Sequence, residues 1–138
     1  MIVLDTNVLS EVLRPRPSTT VLGWMKEHEP TGLCLTTITQ AELLHGVELL
    51  PKGKRRDALE SVLTQSIAEF AGRILPFDEE AARIYPMIVA ARNALGRPID
   101  PLDAMIASIA RSIRAPLATR NTRDFEHCNL RLMNPWGE

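Results

Sequence analysis

The hydrophobic residues of this chain fall into short continuous runs, separated by longer stretches with helical spacing. Ile2, Val3 and Leu4 form a run that is too short for a helix. Its lack of polar positions indicates a strand that is buried on both faces, as in a parallel sheet. Similar runs recur along the chain and predict strands over residues 2–4, 33–35, 74–75, 117–118 and 130–133.

The stretches between these strands carry residue types that begin or end helices. Ser18 and Asp78 are typical N-cap residues, and the pair Asp100-Pro101 is a strong helix start. The sequence predicts helices over residues 8–13, 39–50, 54–67, 78–95 and 100–113, and another that begins at Ser18. Pro86 lies inside one of them, where it removes a backbone hydrogen bond and predicts a kink.

The alternation of strands and helices predicts an α/β fold with three layers. The sheet should be mostly parallel and short-stranded, with helices on both faces and right-handed crossovers. Two predicted helices carry apolar faces, one with Leu59, Val62, Leu63 and Ile67, the other with Leu102, Met105, Ile106, Ile109 and Ile113. We expect residues 1–138 to form a single domain, since this length suits one hydrophobic core.

The amino-acid composition is that of a globular protein. With 45% hydrophobic and 24% charged residues, the chain has ordinary globular usage. It shows neither a basic signal-type start nor an apolar run of the ~18 residues that a membrane span needs, so we expect a cytoplasmic protein without a membrane partner. Cys34 and Cys128 have no metal-ligand spacing, and we expect both to be reduced and partly buried.

The formal net charge of −1 argues against nucleic-acid binding through a general positive field. A nucleic-acid substrate would therefore need a local basic patch. The candidates are Lys52, Lys54, Arg55 and Arg56, with Arg14, Arg16, Arg120 and Arg123 as residues that would have to converge. The alternative is that the basic run is only a solvated helix end.

Four acids follow strands or begin helices, which in a parallel α/β fold places them at the same edge of the sheet. They are Asp5, Glu42, Asp103 and Asp124. Four carboxylates at one edge repel one another unless a cation lies between them, and oxygen ligands without histidine select Mg²⁺ or Mn²⁺. This composition is typical of a two-metal phosphodiester hydrolase.

Each of these acids also has a structural interpretation as a helix cap. Asp5 or Thr6 can cap a helix that begins near Val8, and the spacing from Thr39 to Glu42 is that of a capping box with Glu42 in the first turn. Asp100 and Asp103 flank one helix start, and Asn121 and Asp124 flank another. First-turn acids are favoured by the helix dipole, so both interpretations remain open.

Four stretches of the chain are similar to one known family. They are MIVLDTNVLSE at 1–11, TQAELLHGV at 39–47, GRPIDPLDAMIA at 96–107 and LATRNTRDF at 117–125. With these motifs in this order, the chain resembles the PIN domain nucleases, and among them the VapC-type toxins of bacterial toxin–antitoxin pairs. FAGRILPFD at 70–78 and NPW at 134–136 resemble the FitB branch.

The resemblance implies a PIN-like fold and a Mg²⁺-dependent endoribonuclease, with Mn²⁺ as an alternative ion. It also implies inhibition by a cognate antitoxin, a homodimer, and contact with DNA only through that antitoxin. By motif position, Asp5 and Asp103 match the principal metal ligands, and Glu42 and Asp124 match the third and fourth catalytic acids. The supporting positions are Thr6, Asn7, Thr119 and Asn121. Asp100 occupies a place where the family more often has a small residue.

Three alternatives to a toxin remain open. A housekeeping RNA-processing PIN nuclease would carry the same chemistry, and a PIN fold could also bind a partner without catalysis. An Asp-based phosphotransfer domain also begins with Asp-Thr after a strand. That class needs an acid where Asn7 stands and a lysine where Arg120 follows the late strand, so it fits this sequence poorly.

Overall fold

The computed structural model describes residues 1–138 and contains one sheet of five parallel strands. The strands are β1 (Ile2–Leu4), β2 (Leu33–Thr36), β3 (Ile74–Leu75), β4 (Leu117–Ala118) and β5 (Leu132–Met133). Their order across the sheet is β3-β2-β1-β4-β5, with every neighbouring pair parallel. All five predicted strands are confirmed, and β1 lies at the centre of the sheet.

The six helices also correspond to those that the sequence predicts. They are α1 (Thr6–Val12), α2 (Thr19–His28), α3 (Thr37–Glu48), α4 (Lys54–Ala68), α5 (Glu79–Ala94) and α6 (Pro101–Ser112). Three of the N-caps are confirmed, because Ser18, Asp78 and Asp100 each accept a backbone N–H of the following helix. The helix α5 is continuous through Pro86, and the kink expected there stays a prediction.

Two hydrophobic cores lie on opposite faces of the sheet, because successive strand residues point to opposite sides. Ile2 and Leu4 belong to the core under α1 and α2, whereas Val3 belongs to the core under α5 and α6. A third, smaller cluster of Val47, Leu63 and Ile67 joins α3 to α4. The molecule is therefore the three-layer α/β structure that the sequence predicts.

Three residues predicted for apolar core faces are exposed. Val62 on α4 is 46% exposed, and Leu102 and Ile113 at the two ends of α6 are 41% and 37% exposed. The central part of α6 fills its core with Ile106, Ile109 and small alanines, so its ends extend beyond the packed region. In α4, only the side that faces α3 is covered.

Two further expectations concern cysteines and membranes. Cys34 and Cys128 are free thiols, and both are buried. No helix in the structure combines the length and the apolar character that crossing a bilayer would take.

Candidate active site

The side chain of Asp5 is fixed at the carboxyl end of the central strand. It is 5% exposed. Its Oδ1 accepts the Thr6 N–H at 2.8 Å, which caps α1 and starts that helix at Thr6 rather than near Val8. Its Oδ2 accepts the Thr119 hydroxyl at 2.8 Å and the Asn7 amide at 3.2 Å. Three hydrogen bonds thus hold one carboxylate in a single orientation, and Asn7 also donates to Thr119 at 3.2 Å.

Glu42 is joined to Asp5's helix through a chain of threonine hydroxyls. Thr6 donates its hydroxyl proton to Glu42 Oε1 at 3.0 Å, and the hydroxyls of Thr6 and Thr39 are 2.9 Å apart. Because each hydroxyl carries one proton, Thr39 must donate to Thr6. Thr36 in turn donates to Thr39 at 3.4 Å. The buried threonines Thr36 and Thr39 therefore fix the Thr6 hydroxyl, which in turn orients Glu42.

The capping-box interpretation of Glu42 is wrong. The N-cap of α3 is Thr36, which accepts the Thr39 N–H at 3.1 Å, so Thr39 already lies inside the helix. Glu42 lies in the second turn, where no free backbone N–H remains to be capped. Its position reflects its side-chain contact with Thr6 rather than a role in starting the helix.

Asp103 lies in the first turn of α6, next to the cap that Asp100 provides. Asp100 Oδ1 accepts the Leu102 N–H at 2.9 Å and the Asp103 N–H at 3.4 Å. Burial is the main cause that raises the pKa of Asp103 from its ordinary 3.8 to about 7. Repulsion by neighbouring acids acts in the same direction, and these are Asp5, Asp100, Asp124 and Glu42. Asp100 is thus a helix cap whose charge also reaches the site.

The pKa of Asp5 is also raised. Burial is again the largest cause, and its hydrogen bonds with Thr119 and Thr6 act against the shift. Repulsion by Glu42 and Asp124 adds to it. Both carboxylates therefore lie in a region of concentrated negative charge, which a bound cation would relieve.

Three of the four predicted acids line one cavity, which we call the acid cavity, with a volume of about 500 Å³. The lining residues are Asp5, Thr6, Asn7, Ser10, Glu11, Arg14, Glu42, Asp103, Arg120, Asn121 and Trp136. Asp124 is exposed in a turn of 3₁₀ helix (Thr122–Phe125) and lines an adjacent cavity instead. As the side chains stand, no three acids, histidines or cysteines are close enough to hold one ion together.

The predicted supporting residues lie around Asp5, with one difference. Thr119 is fully buried and bonded to Asp5, and Asn7 is bonded to both of them. Asn121 lines the acid cavity, and its backbone N–H donates to the Thr119 hydroxyl at 3.0 Å. The expectation that Asn121 caps the next turn with its side chain is wrong, because that side chain makes no cap bond.

Several residues of this site were not predicted from the sequence. Glu11 is 6% exposed and accepts both the Arg14 guanidinium at 3.3 Å and the Ser18 N–H at 3.1 Å. It thereby holds the loop between α1 and α2 beside the cavity. Trp136 also lines the cavity and is the one apolar side chain among its lining residues. Glu11 lies one helical turn after Asn7 in α1, and this spacing from the Asp5 motif is the sequence signal that could have identified it.

An apolar groove adjoins the acid cavity and shares Thr6, Ser10, Arg14 and Glu42 with it. The remaining lining residues come mostly from α3 and α4 and their ends, and are Leu13, Pro15, Leu43, Gly46, Val47, Leu50, Arg55, Leu59 and Leu63. We call it the α1–α3–α4 groove. Of the predicted basic run, Arg55 lines this groove and Arg56 pairs with Glu48 at 2.9 Å.

Comparison with known proteins gives a consistent result. The family profile described as PIN domain matches residues 2–129. The chain is 44% identical to Toxin FitB of Neisseria gonorrhoeae, with 99% of each chain covered. It is 40% identical to the VapC ribonuclease Y4jK of Sinorhizobium fredii, covering 99% of this chain and 98% of that protein.

A solved structure shows the same fold at high similarity. The structure of FitAB bound to the IR36 DNA fragment superposes on this chain with a TM-score of 0.91 and 42% identity. The match covers 99% of this chain and 96% of the other. The backbone that carries the acid cavity is therefore shared along almost the whole length.

Proposed function

This chain belongs to the PIN domain family, and on that premise we propose that it is the ribonuclease toxin of a toxin–antitoxin pair. Its reaction is the hydrolysis of RNA phosphodiester bonds with divalent metal ions. The observation that carries the proposal is the convergence of Asp5, Glu42 and Asp103, from three separate elements, on one cavity. Relatives named as a toxin and as a VapC ribonuclease support the substrate and the biological role.

The donor set fits a hard divalent cation. PIN-domain VapC nucleases are generally dependent on divalent metals, and the acid cavity offers carboxylate, hydroxyl and amide oxygens without histidine or cysteine. We propose Mg²⁺ as the ion, with Mn²⁺ as a substitute. Asp5 and Asp103 are the proposed ligands, and burial, together with repulsion by neighbouring acids, raises the pKa of both.

The chain's own residues have distinct proposed roles. When bound, the divalent cation supplies Lewis acidity to the phosphate and lowers the pKa of a water molecule. Thr119 and Asn7 hold Asp5 in place before any ion binds, which reduces the reorganisation that binding requires. Glu42 uses only Oε1 to accept the Thr6 hydroxyl, so its second oxygen is available to take a proton from the attacking water.

Asp124 and Asn121 are proposed to act from the rim. Asp124 lies in the adjacent cavity and contributes negative charge to Asp5 and Asp103. Thr6 orients Glu42, and Asn121 lines the cavity close to Thr119. We therefore propose Asp124 as a fourth acid, whose negative charge at the rim would favour a bound cation.

The proposed protein partner is a cognate antitoxin, which reaches DNA while bound to this chain. The α1–α3–α4 groove adjoins the acid cavity and is the apolar surface that an amphipathic antitoxin segment would fill. A basic side chain of that segment would neutralise the acids from the shared rim. The similar structure of FitAB bound to the IR36 DNA fragment supports the proposed contact with DNA. An RNA substrate and an antitoxin partner are consistent with the expected cytoplasmic location.

Family membership also bears on the alternatives. It decides against an Asp-based phosphotransfer domain, and Asn7 in this structure bonds to Asp5 rather than providing the acid that such domains need. We further propose that residues 1–138 act as one domain.

The cleavage experiment tests the reaction and the site together. Purified protein free of antitoxin should cut total cellular RNA with Mg²⁺ or Mn²⁺ and should stop in EDTA. Asp5→Asn keeps an N-cap residue for α1, so it should fold but lose at least about a hundredfold in rate. Asp57→Asn, an exposed acid on α4, is the matched control and should cut normally. Activity that survives chelation, or an undiminished Asp5→Asn, would contradict the proposal.

A second experiment separates the toxin from a housekeeping nuclease. A toxin of this type should co-purify with the product of a small adjacent reading frame and be inhibited by it. A Leu59→Glu change in the floor of the α1–α3–α4 groove should weaken that complex without removing RNA cleavage. Failure of any neighbouring gene product to bind would favour the housekeeping role.

A further inference from the structure

Trp136 is the one apolar residue among those that line the acid cavity. It follows β5, and the parallel sheet brings this end of the chain to the same edge as Asp5. The Trp136 N–H donates to Asn134 Oδ1 at 2.9 Å, and the Gly137 N–H donates to the Asn134 carbonyl at 3.0 Å. Gly137 has a φ of 74°, which favours glycine and closes the turn. The backbone that carries the indole is therefore held in a defined turn.

Arg120 lies over the face of this indole. Its guanidinium carbon is 5.1 Å from the centroid of the Trp136 ring, and its Nε donates to Glu138 at 2.8 Å. The Arg120 backbone N–H donates to Asn7 Oδ1 at 3.4 Å, and Asn7 also donates to Asp5. A continuous set of contacts thus fixes the stacked pair relative to the acid at the centre of the site.

Packing explains part of the environment of Trp136. The indole is partly buried and packs against the core under α1 and α2, where any large apolar side chain would gain free energy. Packing alone does not account for a cation on the ring or for the remaining ring surface in a polar cavity. An aromatic face beside a guanidinium is the combination that stacks a nucleobase and contacts its phosphate.

We propose that Trp136 and Arg120 form a subsite for one nucleotide of single-stranded RNA, next to the bond that the acids cleave. The guanidinium leaves the ring face and Glu138 to contact the adjoining phosphate, and the base stacks on the face of the indole that this movement frees. The proposal rests on the proposed function, because RNA is its substrate. The polar lining of this cavity favours a nucleotide over a protein segment, for which the neighbouring α1–α3–α4 groove supplies apolar surface.

The first test measures binding without cleavage. The chain has two tryptophans, and Trp24 stacks on His28 at 4.3 Å and does not line the acid cavity. In a Trp24→Phe, Asp103→Asn protein, all tryptophan emission therefore comes from Trp136. A short single-stranded RNA should quench this emission, whereas an abasic oligomer of the same length should not and should bind roughly tenfold more weakly. Equal affinity and equal quenching by the two oligomers would overturn the proposal.

The second test separates substrate binding from a structural role. Trp136→Leu keeps an apolar side chain on the core but removes the stacking surface, so KM for RNA should rise roughly tenfold with kcat within about twofold of wild type. Trp136→Phe should restore most of the loss. Trp24→Leu removes a tryptophan that packs on the same core, and its KM should stay unchanged. An unchanged KM in Trp136→Leu, or the same rise in Trp24→Leu, would contradict the subsite.

Arg120→Gln tests the phosphate contact. Removing the guanidinium should weaken both the RNA and the abasic oligomer, and should lower the slope of log affinity against log salt by about 0.7. An unchanged salt slope would exclude Arg120 from the subsite. If Trp136→Leu weakens binding to the antitoxin and leaves RNA affinity unchanged, the surface serves a protein and the proposal is wrong.

These outcomes are distinguishable from failure of the proposed function. If the wild-type chain cuts no RNA but binds RNA with base-dependent quenching, the subsite holds and the catalytic proposal fails. If the wild-type chain cuts RNA with metal ions but Trp136 shows no dependence on the bases, the subsite fails and the catalytic proposal holds.

Discussion

At the scale of single residues, Asp5 shows that helix capping and site formation are compatible. One oxygen of its carboxylate caps α1, and the other accepts hydrogen bonds from Thr119 and Asn7. The cap fixes the backbone around Asp5, and the two side chains fix its rotation. A carboxylate that caps a helix at the end of a buried strand is thus already oriented for a ligand.

Glu42→Gln distinguishes orientation from charge at a single position. The amide oxygen of glutamine can still accept the Thr6 hydroxyl, and α3 is capped by Thr36, so we expect a normally folded protein. A neutral amide is a poor metal ligand and does not accept a proton from water, so the cleavage rate should fall by at least about a hundredfold.

The measurement for Glu42→Gln combines cleavage kinetics with melting curves in the presence and absence of Mg²⁺. Glu48→Gln, at the last residue of α3, makes the same chemical change outside the acid cavity and serves as the control. Wild-type cleavage and an unchanged Mg²⁺ shift in Glu42→Gln would exclude Glu42 from the site.

Asp103 gives a prediction about pH. Its pKa is raised from 3.8 in an unfolded chain to about 7 in the fold, so the folded state holds the proton more tightly. The free energy of unfolding of the metal-free protein should therefore fall as pH rises from about 4 to about 7. Asp103→Asn should reduce this fall and raise the melting temperature at neutral pH. Identical pH profiles of wild type and Asp103→Asn would contradict the shift.

At the scale of elements, one buried arginine joins α5 to the segment that carries Asp124. Arg92 is 4% exposed, and its Nε donates to the Arg97 carbonyl at 2.7 Å. Its NH1 nitrogen donates to the carbonyls of Asp124 at 2.8 Å and Glu126 at 3.1 Å. The guanidinium thus meets backbone carbonyls of two loops, and it fixes the loop after β4 against α5.

Arg92→Met should destabilise the protein by about 2–4 kcal/mol, because it removes the buried donors that the carbonyls of Arg97, Asp124 and Glu126 accept. Chemical denaturation measures this difference. Arg83→Met on the same helix is the matched control, since Arg83 is 76% exposed and pairs only with Glu79. We expect its effect to stay within about 0.5 kcal/mol. Equal stabilities of the two variants would show that the carbonyls find other partners.

At the scale of the whole molecule, the net charge is close to neutral, so electrostatic attraction of RNA has to come from basic residues near the site. Arg14 and Arg120 lie at the acid cavity and Arg55 lies at the adjoining groove, so the basic residues needed for phosphate contact are concentrated near the site. The chain as a whole carries a formal net charge of −1 and so provides no general positive field for RNA. Substrate binding should therefore be less sensitive to salt than that of a uniformly basic protein.

We expect the chain to form a homodimer, as the family resemblance implies. The exposed apolar side chains of Leu44, Leu49 and Val62 on α3 and α4 supply surface that a second copy could cover, with exposures of 39%, 71% and 46%. Light scattering over a dilution series in the micromolar range measures the assembly directly. A mass of one chain throughout that range would rule out the dimer.

The sequence by itself determined the features that depend on neighbouring residues. The five strands, the six helices and the caps Ser18, Asp78 and Asp100 all follow from local hydrogen bonding and from apolar periodicity, which short segments carry in their own side chains. The sequence motifs also identified Asp5, Glu42 and Asp103 as candidate site residues, and all three line one cavity.

Tertiary structure alone decided which residues meet at that cavity. Contacts such as Thr6 with Glu42, or Arg120 with Trp136, join residues that are separated along the chain and depend on the strand order. The spacing from Thr39 to Glu42 gave a wrong cap, since Thr36 at the end of β2 accepts the Thr39 N–H and the helix already begins at Thr37. The physical reason is that a local pattern of residues specifies a single helix or strand. Which helices and strands pack against each other depends on the burial of apolar surface over the whole sheet.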